Sequence, residues 1–532
     1  MTNLSFSGDI HSESATTWLS NPTTRRFPQE VIEQIVDHLW DDPVALAMCF
    51  RVCHSWLAAA KYHLDEYKDM TIRSRMALTG YGRMFKLHRR ERVNEQAQTM
   101  KILDNPLKPF AHLFPMLILG CDATGISQLE MSRVDWATTR PHSRFFNYLS
   151  YYTSTTVLEF NECCFGSPSQ IRRAINALPN LTTLVLRSIT LRDVPVTAPI
   201  SRTMLKADQK LEKIELFLPR RALDRRSSPN SGADREAIRS ILAECASHAS
   251  VVWLSLDMDY FDSFAHLAQF IRHFPALARF TARCSPDRSG WDSRSPDDIA
   301  FEARTADANT QLFSIFELSY IRTTRAVQLM SLVSTPRACS KLEQLRITQV
   351  DPTGPTAELL LAVTHTLHLS GPALKLFRWE WPCNTDSLLC IPRLSWNTSL
   401  EQVHIVLYDM PPSLRRIKDT LSSLVSDITS PHMRKLRVDI HLELAKAGRG
   451  VEEESCLETD DANCNSTFLR GGVFHQVPGT AAVRVWLDAR NNSPSHGRMA
   501  AKIKSHLAAL FAPWLDCGTL DLEFRGDSIS LP

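Results

Sequence analysis

Leu181-Thr182-Thr183-Leu184-Val185-Leu186 sets the pattern on which the fold rests: an apolar residue, two variable ones, a second apolar residue, one variable, and a third apolar residue. The same spacing returns as Leu211/Ile214/Leu216, Val251/Leu254/Leu256, Leu342/Leu345/Ile347, Leu374/Phe377/Trp379 and Leu400/Val403/Ile405. Weaker copies are Leu277/Phe280/Ala282, Phe313/Phe316/Leu318 and Met433/Leu436/Val438, with Leu158/Phe160 ahead of them and Val485/Leu487 and Leu520/Leu522 behind. The last two apolar positions of each copy alternate with variable ones, which is the period of a short, half-buried strand. Helical segments separate the copies at Ser169 to Ala177, Asp234 to His248, Phe264 to Phe274 and Ile417 to Ile428. One strand and one helix cannot cover their own apolar faces, so such units stack in series and bury a continuous core between neighbours.

A different periodicity occupies residues 25–61. Val31, Ile32, Ile35, Val36 and Leu39 recur at helical spacing behind Pro28, a residue tolerated in a first turn because no amide is needed there. Asp42-Pro43 opens a second short helix through Val44 to Ala47, and Val52, Trp56 and Ala59 carry a third helical face through Ala60. Three short helices cannot bury this much apolar surface among themselves, so the reading predicts that another protein covers part of it. The residues Phe27-Pro28-x-Glu30-Val31-Ile32-x-x-Ile35-Val36-x-x-Leu39, Asp42-Pro43-x-x-Leu46 and Val52-Cys53-x-x-Trp56 resemble the F-box of fungal F-box proteins. Phe27 stands where that family usually has leucine, a departure that keeps an apolar anchor.

The resemblance implies that residues 25–61 bind a Skp-type adaptor, and through it a cullin, by way of Phe27, Pro28, Ile32, Ile35, Leu39, Leu46, Val52 and Trp56. Trp56 is expected to dominate, since buried tryptophan is enriched at interface hot spots. The fold class expected is α+β overall: a small N-terminal three-helix F-box followed by an irregular α/β leucine-rich-repeat solenoid with its parallel sheet on the concave side. The strand spacing is uneven and the usual Asn or Cys after the strand is mostly missing, so the solenoid is degenerate and similar to the repeat region of many F-box proteins. The expected domains are a disordered tail at 1–24, the F-box at 25–61, a linker and possible capping segment at 62–150, and the repeats at 151–532. Long loops are expected near 219–235, 285–309 and 448–464, where Pro, Ser and charge replace the apolar pattern.

In such a horseshoe the strand residues between the buried positions face the concave surface and are the natural contacts for a protein substrate. In this register they include Arg187, Trp253, Arg279, Arg283, Glu317, Arg346, Arg378 and His404. The arginines on neighbouring copies suit an acidic protein segment, and a solvated face of mixed charge is the alternative reading. The function expected is therefore a substrate-recognition subunit of a Skp/cullin/F-box ubiquitin ligase, the alternative being a scaffold that binds the adaptor without cullin.

Composition narrows the rest. Sixty Lys and Arg against 58 Asp and Glu leave a formal charge of +2, with no global field to draw nucleic acid or an anionic membrane. The first residues, MTNLSFSGDIHSESATTW, lack both a basic start and an apolar run, and no segment approaches the ~20 apolar residues of a membrane span, so a cytoplasmic or nuclear chain is expected. Thirteen cysteines, an odd number, then read as reduced core thiols, and the Asn-x-Ser/Thr triplets at Asn3, Asn180, Asn397 and Asn465 as chance matches. Arg89-Arg90 sits in a short basic run that reads as a solvated helix face rather than an import signal. Trp379 and Trp381 read as core filling rather than a base-stacking platform, and Gly80-Tyr81-Gly82 as a turn. No Gly-x-Ser-x-Gly elbow, Walker loop, His-Glu-x-x-His or Cys-x-x-Cys pair occurs, so neither catalytic chemistry nor a cofactor is expected.

Overall fold

In the computed structural model the apolar triplets become strands. The structure describes residues 27–39, 43–49, 52–66, 69–88, 98–121, 123–192, 210–217, 238–239, 242, 250–284, 312–348, 356–382, 392–410, 420, 423–424, 426–443, 480–488, 501, 503–505, 507–508 and 520–525. The expected tail at 1–24, the Arg89-Arg90 run, and all three expected loops lie outside the described residues, as does most of the expected helices at 234–248 and 417–428.

The strands are β1 (Asp69–Ile72), β2 (Thr99–Leu103), β3 (Gln128–Ser132), β4 (Val157–Asn161), β5 (Cys164–Phe165), β6 (Thr183–Arg187), β7 (Thr190–Leu191), β8 (Lys213–Phe217), β9 (Trp253–Asp257), β10 (Arg279–Arg283), β11 (Ile315–Ser319), β12 (Gln344–Thr348), β13 (Leu376–Pro382), β14 (Gln402–Met410), β15 (Lys435–Glu443), β16 (Thr480–Asp488) and β17 (Leu520–Arg525). Fifteen of them form one sheet in chain order from β1 to β17, with only the short β5 and β7 paired separately. Every pairing among the described strands is parallel and the two edges do not meet, so the chain is a mixed α/β protein with a large open parallel sheet, as expected of its repeat region.

Two backbone motifs repeat along the stack. Before the strands of the large sheet from β2 to β14, one carbonyl accepts two successive amides of the next copy: Thr156 O from Thr182 and Thr183, Val252 O from Ala278 and Arg279, and Glu343 O from Lys375 and Leu376, among others. After four strands the chain turns through a left-handed residue, Arg133 (φ 59°), Glu162 (φ 53°), Ser188 (φ 57°) and Tyr320 (φ 57°). Each of these amides donates to the last residue of the next strand, at 2.8–3.0 Å. The conformation is uncommon outside glycine, and the hydrogen bond it delivers is what holds it.

The segment expected to be a linker is part of the sheet. β1, β2 and β3 lie within 62–150, so the repeating unit starts at Asp69 and not at 151. Ile126/Leu129/Met131 carries the full apolar spacing, and all three are buried. Trp136 is fully buried nearby, edge-on to Phe145, Phe146, Phe160 and Phe165 with ring centroids 5.2–5.9 Å away. Gly80-Tyr81-Gly82 is not a turn but lies within a helix, α4 (Arg75–His88), where a Cβ on Gly82 would come 2.4 Å from the Leu117 carbonyl oxygen.

The core side of the sheet takes the alternating apolar residues, and Trp379 and Trp381 stack there fully buried, 5.0 Å apart. Asn397 is also fully buried; its Nδ2 donates to Leu367 O (2.8 Å) and Gly371 O (3.1 Å), closing the C-terminal end of the helix Ala357–Ser370. The side chain is occupied by that role, in keeping with a chance triplet.

Candidate functional site

Three helices precede the sheet: α1 (Gln29–Asp37), α2 (Pro43–Cys49) and α3 (His54–Glu66). Pro28 caps α1 rather than starting it, its carbonyl accepting from Val31 (3.1 Å) and Ile32 (3.3 Å). Ile32, Val36, Leu46, Cys49, Ala59 and Ala60 form a small core of their own, distinct from the large core of the sheet, with Leu39 and Trp56 packed partly buried against it. The unit approaches the rest of the chain through α2, which lies against α4.

The eight residues expected to meet an adaptor therefore divide. Phe27 (67% exposed), Pro28, Ile35 (39%) and Val52 (62%) face solvent. Ile32 and Leu46 do not: they point into the small core, and Leu39 and Trp56 lean on it, so Trp56 is not the freely offered anchor that was expected. Periodicity marks an apolar helix face without saying which edge of it turns inward. Val31 and Met48 (62% exposed) join the outward set.

On the sheet, the face opposite the core aligns its residues in rows because the register is continuous. One row runs Lys213, Trp253, Arg279 across β8, β9 and β10. Lys213 Nζ lies 3.7 Å and Arg279 Cζ 4.4 Å from the centre of the Trp253 ring, which thus carries a cation on each side. Phe217 is flanked in the same way by Arg187 (4.8 Å) and Arg283 (4.9 Å). Four of the eight residues expected at a substrate surface thus gather at two aromatic rings, those of Trp253 and Phe217.

The next row reads Glu317, Arg346, Arg378, His404, Arg437 across β11 to β15. Arg346, Arg378, His404, Lys435 and Arg437, with Leu376, Gln402 and Val403, line a cavity of about 190 Å³. Carboxylates hold the cations from outside its lining. Glu380 accepts from Arg378 Nε and Nη2, and Arg437 Nε reaches both Asp439 oxygens at 3.0 and 2.9 Å. His404 Nε2 lies 2.8 Å from Asp439 Oδ2, and Arg346 Nη1 lies 3.9 Å from Glu317. Burial alone would raise the Asp439 carboxyl, but the hydrogen bonds and charges of His404 and Arg437 outweigh it and bring its pKa down to about 2. Lys435 and Arg437 stand outside the residues expected at this surface, because the Met433/Leu436/Val438 copy is a weak match to the pattern.

Among the described residues no group of His, Cys, Asp or Glu could hold a metal ion, and no helix is long and apolar enough to cross a membrane. Burial pushes the thiols of Cys163, Cys284 and Cys339 up to about 12, which makes them poor nucleophiles. The chain matches no family model and no curated protein.

Proposed function

We propose that the chain is an F-box protein, a substrate-recognition subunit of a Skp/cullin/F-box ubiquitin ligase. On this reading the three N-terminal helices dock a Skp-type adaptor and the sheet belongs to a degenerate leucine-rich-repeat solenoid whose outward rows face a protein substrate. The observation that carries it is the apolar set Phe27, Val31, Ile35, Met48 and Val52, left in solvent around a small core that is separate from the large one. Each such side chain moved from water into a partner is worth about 1.5–3 kcal/mol gross, before the cost of association is subtracted. The rows of charge and aromatic rings on the sheet support recognition of a partner. The protein would act by proximity, holding a target beside an enzyme that another subunit supplies.

Affinity capture of the whole chain from cells tests this. A ligase subunit brings down adaptor and cullin in near-equal yield; adaptor without cullin supports a scaffold instead, and capture of neither contradicts the proposal.

A further inference from the structure

Arg346, Arg378, His404 and Arg437 occupy register-paired positions on four successive strands. Adjacent strands lie only ~4.8 Å apart, and like charges directly opposite one another are destabilising. The fold offsets this with the carboxylates Glu317, Glu380 and Asp439, yet none of the three lines the cavity that the cations enclose. Lys435, exposed at the rim, carries no ion pair among the described residues, so four cations stand against three carboxylates even before His404 is protonated. Like charges paired across strands, with Arg378 and Arg437 held by carboxylates outside the lining, make the arrangement of a preformed anion site.

Cations from four strands line the cavity, and charges set on several sides suit a tetrahedral oxyanion better than a planar carboxylate. A phosphoryl group offers three strong acceptor oxygens and nearly two charges. About 190 Å³ holds such a group with a few attached atoms, not a folded segment. We propose that the cavity between β12 and β15 binds a dianionic phosphoryl group, independently of whether the N-terminal helices dock an adaptor.

The test is calorimetry on the full chain with inorganic phosphate, pyrophosphate and a phosphoserine peptide, each set against acetate at matched ionic strength. Arg378→Gln, the rim variant Lys435→Gln, and Lys375→Gln, which removes a nearby charge outside the cavity, complete the set. Phosphate or pyrophosphate binding that falls tenfold or more in Arg378→Gln and several-fold in Lys435→Gln, but not in Lys375→Gln, supports a small free ligand. Binding of the phosphopeptide alone, with the same variant pattern, supports a phosphoryl group delivered on a protein. The proposal is overturned if no phosphoryl compound binds more tightly than acetate, or if Lys435→Gln, too exposed to disturb the fold, and Arg378→Gln both bind as the parent does. Adaptor capture, measured on the same variants, stays unchanged in every case, so failure here and failure of the ligase reading remain distinguishable.

Discussion

Ile32 and Ile35 stand three positions apart on α1 and serve different ends. Ile32 is buried in the small core while Ile35 is 39% exposed. Truncating a buried isoleucine costs roughly 2–4 kcal/mol, because transfer energy and cavity terms add. Ile32→Ala is therefore expected to lower the melting temperature of the helical unit, whereas Ile35→Ala changes it little and weakens adaptor binding instead. Thermal melts and a binding titration on both variants separate the two roles. Asp439 is a second such case. Its folded pKa of about 2 lies below the ~3.9 of an unfolded Asp, so the unfolded state binds the proton more readily in that window. The stability it contributes is fully present above ~pH 3.9 and is lost as pH falls toward 2. Carboxyl carbon NMR should find Asp439 still ionised near pH 3, and the stability gap between the parent and Asp439→Asn should narrow as the pH is lowered from 4 toward 2.

Helix α4 shows propensity and packing in opposition. Replacing an interior helical glycine by alanine normally gains about 1 kcal/mol. At Gly82 the new Cβ would lie 2.4 Å from the Leu117 carbonyl oxygen, a backbone atom that cannot rotate away. Packing wins, and Gly82→Ala is expected to destabilise the chain by at least about 1 kcal/mol, read as a lowered urea midpoint; a raised midpoint would mean that α4 does not pack there. The strands were legible because their apolar pairs alternate, as Leu184/Leu186 and Phe377/Trp379 do, and all four are buried. The early strands were harder to see: Met70/Ile72 and Met100/Ile102 alternate, but Tyr67 and Ala97 stand where the leading Leu would be. The left-handed turns were invisible for a related reason, since Arg133, Glu162, Ser188 and Tyr320 are not residues that announce that conformation.

Two cores of unequal size imply unequal stability. The small one rests on six buried side chains, two of them Ala and one Cys, while the large one joins described residues from Met70 to Leu507 in a single cluster. A unit that small gains little beyond the entropy of ordering it. Hydrogen exchange is expected to be faster in α1 to α3 than in the central strands, and to slow in those helices when adaptor is added. At the level of the whole chain, the sequence revealed a stacked parallel sheet and a helical unit in front of it, because both rest on periodicity. It placed Arg346, Arg378 and His404 on the outward face but not Arg437, nor the cavity they line together, which depends on the register between successive strands. The most direct measurement is a binding isotherm between the full-length chain and a purified Skp-type adaptor, for the parent and for Phe27→Asp with Val52→Asp. The account predicts saturable one-to-one binding that falls at least tenfold in the double variant while its melting temperature holds. An isotherm indifferent to both substitutions, or no binding by the parent, would contradict it.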